Sequence, residues 1–529
     1  MRPETTPRTR LGPVFWISVG VSALFVLWGV FGAENQMAVM SGALGWLTSR
    51  FGWVYLTVPV LLLGFLLFLA LSRFGTIRLG ADDDRPEFRT HSWIAMILGA
   101  VMGIGLISYG VAEPVSHFMA PPHQLAEPGS PEAAVVALQY SFYDWGLHAW
   151  AVFALFGLAF GYSTHRRGRR GLISAIFRPL LGRRADGPLG TAIDVFTVFA
   201  TLFGTTTSLG LGALQIDNGL ARLLGTPSGV TTQVVIIVVT TLLFTASAVS
   251  GVHRGIRYLS EGNMVLAGLL FAFVLLAGST AFLVNVFFES VGRYLNDFLT
   301  MSLRGAAFGD LAWMQSWTYF MMAWWISWGA FVGVFLARIS RGRTIRQFVG
   351  VVIGAPSAAF FAWFTVFGGS AIETDLYRGG GVAEATAADI NNAFFALLQE
   401  FPLPAATSAA VVLLAALFFI TGADANTYVL GMLTSEGSQR PRTPVLLLWG
   451  GMTGAVAVIL LLSGGLQALQ QTVIVSSAPF VLVIGGLVLA FWKDLKADPA
   501  MAAPARRPTS AVPEPAVAAG GTRGGGDPR

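Results

Sequence analysis

The chain has 529 residues, 54% of them hydrophobic and only 12% charged, with a mean hydropathy of +0.66; this excludes a soluble globular protein. There is no cysteine, which excludes disulfides, thiolate-metal sites and cysteine nucleophiles. The formal net charge is +5, but the basic residues sit in short stretches between apolar runs, a topology pattern and not a nucleic-acid-binding one.

Apolar runs of about twenty residues predict twelve spans in chain order, at roughly 12–33, 53–73, 92–112, 141–163, 190–215, 230–250, 263–288, 313–337, 347–371, 405–434, 443–464 and 471–492. The first run has no convincing cleavage site and reads as a retained span. With the N-terminus inside, the inner segments hold 28 of the 33 Lys and Arg residues. The outer segments hold only Arg50, Arg222, Arg293, Arg304 and Arg378. That alternation predicts a multi-pass protein of the plasma or inner membrane with both termini cytoplasmic. Residues 1–11 form the N-terminal segment, 12–492 the membrane domain, and 493–529 a cytoplasmic tail. The tail is rich in Ala, Pro, Gly and Arg and is expected to be disordered. Between spans 7 and 8, residues 291–311 alternate apolar and polar side chains, as an interfacial amphipathic helix does.

Two spans carry glycine clusters that predict breaks: Gly99, Gly103 and Gly105 in span 3, and Gly329 and Gly333 in span 8. They are five spans apart. Breaks at matching places in two halves point to inverted repeats with a ligand site between them. Spans 3–7 (about 92–288) and 8–12 (about 313–492) are the expected repeats, after two additional helices.

Span 8 holds Trp324, Trp325 and Trp328 well inside its apolar run, where an interfacial belt does not explain them. At 100° per residue, Trp324 and Trp328 lie about 40° apart and Trp325 and Trp328 about 60°. Span 4 carries a second aromatic set, Trp145, Trp150 and Phe153. A quaternary ammonium group cannot donate a hydrogen bond, so a protein holds it against π faces at roughly 0.5–2 kcal/mol per ring. The two sets predict a cage for such a group. Thr201 and Thr205 in span 5 share a helix face and, with Thr421 in span 10, offer oxygens to a hard cation such as Na⁺; back-bonding to their own helix is the ordinary alternative. Asp424 is costly in a membrane unless it meets water or a partner. His148 reads as a packed, hydrogen-bonded histidine. The six histidines lack metal-ligand spacing and no catalytic pair stands out, so an enzyme is not expected.

The motifs VMGIGLISYGVAEP, WGLHAW, TLFGTTTSLGLGALQI, WWISW followed by FVGVFLARISRGRTIR, and ITGADA resemble those of the betaine/carnitine/choline transporters. Their order and spacing cover residues 10–492. The resemblance implies an all-α polytopic membrane protein of twelve transmembrane helices. It also implies the five-plus-five inverted repeat of the leucine-transporter type, preceded by two extra helices, and commonly a homotrimer. It implies a substrate cage of Trp145, Trp150, Phe153 and Trp325, with Met102 near the substrate carboxylate, Gly105 and Trp324 beside it, and Trp328 on the cytoplasmic path. A first sodium site maps onto Thr201, Thr205 and Phe331, and a second onto Gly99, Met102, Leu417 and Thr421. No organic cofactor is implied; Na⁺ is the coupling ion and the bilayer the surroundings. The chain departs from the family at Phe153 (usually Tyr), Ala330 (usually Pro), Val101 (usually Gly) and Gly422, where a sodium-ligand Ser is usual. Gly105 replaces the Asp often found in proton-coupled choline carriers, which favours a zwitterionic substrate. The expected function is Na⁺-coupled uptake of a betaine-type solute, and the alternative is a sodium-independent or proton-coupled choline or carnitine carrier.

Overall fold

A computed structural model describes residues 11–101, 103–250 and 253–501. Among these residues the elements are all helical, and the β-type pairing is one isolated antiparallel bridge between Arg78 and Thr344. Lipid explains the preference, because a helix satisfies its backbone hydrogen bonds within one segment. Among the described residues, nine helices are long and apolar enough to cross a membrane, and one bent pair brings the number to ten. Large apolar side chains such as Phe31, Leu61, Leu242 and Leu482 are exposed on the outer surface of the bundle, as a lipid-facing belt requires.

The chain opens with α1 (Pro13–Leu71). Its 59 residues would measure about 88 Å as a straight rod, far more than the ~30 Å hydrocarbon core. It folds at Gly32, whose backbone leaves helical space. There the Gln36 amide donates to the carbonyl of Phe25 at 3.1 Å, although eleven residues of straight helix would separate them by about 16 Å. The next helices are α2 (Thr90–Val101), α3 (Ile104–Tyr109) and α4 (Ala112–Met119). Gly103 is extended between α2 and α3, and the chain bends there by 65°. This is the break predicted for span 3.

Span 4 differs from its prediction. It begins earlier, at α5 (Pro131–Trp145), where the Ser130 hydroxyl caps the helix by accepting from Ala133 N. It then breaks at Gly146 before α6 (Leu147–Gly161). A Cβ at Gly146 would lie 2.5 Å from Phe361 Cε1, so the close approach of Phe361 needs glycine there. Two single turns, α7 (Ile173–Ile176) and α8 (Arg178–Leu181), lead to α9 (Pro188–Leu224), α10 (Val230–Ser250) and α11 (His253–Ala277). The α11 helix of predicted span 7 ends at Ala277. The end of predicted span 7 instead belongs to a separate helix, α12 (Thr280–Asn296), which runs on with α13 (Phe298–Leu303) into the stretch read as interfacial.

After α14 (Leu311–Ser316), α15 (Thr318–Ile339) runs unbroken through Gly329 and Gly333. The predicted break in span 8 is therefore absent. These glycines let α15 lie against α6: a Cβ at Gly329 would meet Phe156 Cε2 at 2.5 Å, and one at Gly333 would meet Gly157 N at 2.9 Å. Small residues at a membrane helix contact are the ordinary solution. The remaining helices are α16 (Ile345–Tyr377), opened by a Thr344–Gln347 capping box, α17 (Val382–Ala388), α18 (Ala393–Gln399), α19 (Pro404–Thr434) and α20 (Thr443–Lys496). The last has 54 residues and leaves helical geometry at Gly464 and Gly465. Asp424 lies within the continuous α19.

The predicted inner segments meet on one face. Arg166 donates to both oxygens of Asp498 (2.5 and 2.7 Å) and to Asp82 at 2.8 Å. Arg169 pairs with Asp494, and Arg343 donates to Phe88 O at 2.7 Å. Backbone order thus extends past Lys496 to Met501; the rest of the predicted tail, and residues 1–10, lie outside the described residues. The predicted outer segments meet on the opposite face, where Arg293 pairs with Glu132, Arg378 with Glu373 at 3.1 Å, and His123 with Asp310 at 3.2 Å.

Candidate functional site

The break at Gly146 places Trp145 at the end of α5, with Phe153 on α6 against α15 and Trp150 against Phe360 of the later helix α16 (Ile345–Tyr377). Trp325 is the centre of what results. Its ring centroid is 4.8 Å from that of Trp145, edge to face, and 6.0 Å from Phe153. Trp324 stacks on it at 5.1 Å and 15°, and Trp150 stands 5.3 Å from Phe153. Aromatic pairs at these spacings attract beyond their buried area, by about 0.5–1.5 kcal/mol each. Gly105, in the first turn of α3, completes the packing. A Cβ there would lie 2.7 Å from Trp145 Cη2 and 3.1 Å from Trp324 Cη2.

Hydrogen bonds fix the indole orientations. Trp325 Nε1 donates to Asp144 O at 2.7 Å, Trp145 Nε1 to Glu113 Oε2 at 2.7 Å, and Trp324 Nε1 to Gly204 O at 3.3 Å. Trp150 Nε1 is buried without a partner. Phe360 and Phe364, one turn apart on α16, close the set at 5.9 and 5.2 Å from Trp145. The sequence reading did not single out these two phenylalanines, which an aromatic-rich run does not distinguish from lipid-facing ones. His148 packs as expected, with Nε2 2.8 Å from Ser302 Oγ and its ring stacked on Phe298.

A cavity of about 730 Å³ lies below the rings. Arg338, Gln439 and Arg440 line its end at the basic face; Thr205, Trp328 and Phe331 line its depth. The structure divides the predicted site residues between two places. Gly99, Thr205, Trp328, Phe331 and Thr421 line the cavity, with Gly422 and Asp424 beside them. Trp145, Trp150, Phe153, Trp324, Trp325 and Gly105 form the packed ring cluster above it. Trp328 joins the two, at 6.4 Å from Trp324 and 5.4 Å from Phe331. Thr205 Oγ1 donates to Thr201 O at 2.9 Å, and Thr201 Oγ1 is buried without a partner. Thr421 Oγ1 donates to Leu417 O at 2.8 Å. Each hydroxyl oxygen keeps lone pairs for a cation. Met102 lies outside the described residues.

A helical membrane bundle with a mid-depth aromatic cluster beside a break, and a cavity leading to it from one face, is the arrangement of a solute carrier. The sequence matches the family model described as "BCCT, betaine/carnitine/choline family transporter" over residues 13–500. The chain belongs to this family. It is 45% identical to the glycine betaine transporter OpuD of Bacillus subtilis, over 92% of this chain and 95% of that protein. It is 38% identical to the betaine/ectoine transporter LcoP of Corynebacterium glutamicum, over 92% of this chain and 78% of the relative. With the high-affinity choline transport protein of Escherichia coli the identity is 36%, over 96% and 75%. These relatives are transporters and not enzymes.

Proposed function

We propose that this betaine/carnitine/choline-family member takes up a betaine-type zwitterion by Na⁺ symport with alternating access, holding the quaternary ammonium among Trp145, Trp150, Phe153 and Trp325. The meeting of rings from α5, α6 and α15 around Trp325 carries the reading: four π faces and no ammonium or guanidinium suit a cation that cannot donate a hydrogen bond. The 45% identity to a glycine betaine transporter supports that substrate class. The cavity reaching Trp328 from the basic face supports an inward-facing form, with that face cytoplasmic. The folds in α1 and α20 divide each into two stretches; counted so, they bring the ten candidate spans to the twelve of the family resemblance, with the inverted repeat and homotrimer that go with it.

One sodium ion entering at about −120 mV down a tenfold gradient supplies roughly 4 kcal/mol, enough for about thousandfold accumulation. Thr205→Ala is therefore expected to raise the sodium concentration for half-maximal uptake several-fold; an unchanged sodium curve removes Thr205 from the site. Gly422 bears on the number of ions. A Cβ there meets nothing within 4 Å, so a serine fits without displacement. Gly422→Ser is expected to steepen the sodium dependence of uptake, and an unaltered Hill slope means the second ion does not depend on that oxygen. The missing hydroxyl at Gly422 also supports a second reading, a sodium-independent or proton-coupled choline or carnitine carrier. Tryptophan-fluorescence titration with glycine betaine, with and without sodium, tests the proposal: sodium is expected to tighten binding, and no response to betaine would overturn it.

A further inference from the structure

On the far side of the ring cluster from the cavity lie three ionisable side chains. Glu113 and His117 are one turn apart on α4, and Asp144 is on α5. All three are fully buried, and one donor atom from each lies within 4.8 Å of the others. Glu113 Oε2 holds the Trp145 indole, while Glu113 Oε1 stands 3.7 Å from His117 Nε2. That oxygen, both oxygens of Asp144 and both ring nitrogens of His117 lack a hydrogen-bond partner. The surrounding hydroxyls of Tyr140 and Tyr143 on α5 are unpartnered too, and that of Tyr109 on α3 faces Gln470 on α20.

Among the described residues, no lysine or arginine forms an ion pair with Glu113 or Asp144, and Glu113 stands opposite His117. Ser141 faces Glu113 from α5, and Tyr294 on α12 and Tyr319 on α15 face Tyr143. Arg293 and Arg304, with Asp297, face Tyr140 farther out. A column of rings separates the cluster from the outer face. His117 lies 4.8 Å from Trp317 and 5.3 Å from Trp313, and His123 lies 5.4 Å from Trp313. The His123–Asp310 contact caps the column at 3.2 Å, and both residues hold left-handed backbone. Burial and the Arg304 charge push His123 below the usual imidazole value, while the Asp310 carboxylate acts the other way.

Two carboxylates without a cationic side chain cannot both stay charged in a dry membrane interior. Neighbouring acids of this kind gain and lose protons as a unit. Once water reaches them, the charged forms are solvated. Proton occupancy and sealing of the outer path are then thermodynamically linked, each biasing the other. We propose that Glu113, His117 and Asp144 form a proton-binding site: one proton from outer water moves onto a free carboxylate oxygen of Asp144 or Glu113 as the outer path closes, and returns to water as it opens. This inference rests on the alternating-access reading above.

The test is iodide quenching of tryptophan emission in the purified protein, titrated from about pH 6 to pH 8.5, a range where the reference histidine and carboxylate values bracket the lower end. Quenching and a red shift are expected to grow with pH as Trp145, Trp313 and Trp317 become wet. For one linked proton the open-to-sealed ratio changes by up to about tenfold per pH unit. The double variant Glu113→Gln, Asp144→Asn keeps both side-chain shapes and an acceptor for Trp145, and its response is expected to be flat. Should the double variant not fold, Asp144→Asn alone gives the same reading, because the Asp144 carboxylate makes no hydrogen bond to lose. The same titration in wild type and variant, or no pH response in wild type, overturns the proton site. If glycine betaine with sodium fails to change quenching at any pH, alternating access itself fails and the proton site falls with it.

Discussion

Trp325→Ala is expected to weaken glycine betaine binding by roughly 100-fold or more, about 2.7 kcal/mol, measured by tryptophan-fluorescence titration or by competition for labelled uptake. Trp325 joins the rings of α5 and α6 in the proposed cage, with Trp145 at 4.8 Å and Phe153 at 6.0 Å, and is backed by Trp324 at 5.1 Å. Its loss removes one dry cation–π contact of about 2 kcal/mol. It also removes the indole whose bond to Asp144 O ties α15 to the end of α5. Trp325→Phe keeps a π face and loses that bond, so a smaller loss, within about tenfold of wild type, is expected. Equal binding by wild type and Trp325→Ala would remove the ammonium from this cluster altogether.

Gly105→Ala adds one methyl group and is expected to lower affinity by roughly tenfold to a hundredfold, since overpacking a well-fitted interior costs about 1–3 kcal/mol. The methyl would meet the Cη2 edges of both Trp145 and Trp324. Either the indoles rotate, breaking the Glu113 bond that orients Trp145, or α3 shifts away from the cage. Thermal unfolding of the same variant separates the outcomes: lost affinity with a near-normal Tm is a local effect on the cage, whereas a large fall in Tm with normal affinity would mean that Gly105 only packs.

The helical membrane class and the clustering of basic segments on one face were legible in the sequence because hydropathy and charge accumulate along the chain. That the aromatic residues of spans 4 and 8 come together was legible as well, since three tryptophans in mid-span have few uses there. Glycine function was not. Gly146 breaks a helix and Gly329 and Gly333 do not, yet all three admit a phenylalanine close to the backbone, Phe361 in one case and Phe156 in the other. Both partners are distant in sequence. The break at Gly103 stands, but its expected counterpart in span 8 is a packed helix, so the matching-break pattern does not itself support a repeat. Glu113, His117 and Asp144 were hidden for a similar reason. They are spread over α4 and α5, and only the folded chain brings them behind Trp145.

The most direct test of symport through this cage is uptake of labelled glycine betaine by proteoliposomes holding the purified protein, with an inward sodium gradient, with equal sodium on both sides, and with sodium absent. Accumulation above the external concentration only under the inward gradient, abolished by Trp325→Ala, is the predicted result; accumulation that is the same without sodium, or that survives Trp325→Ala, would contradict it.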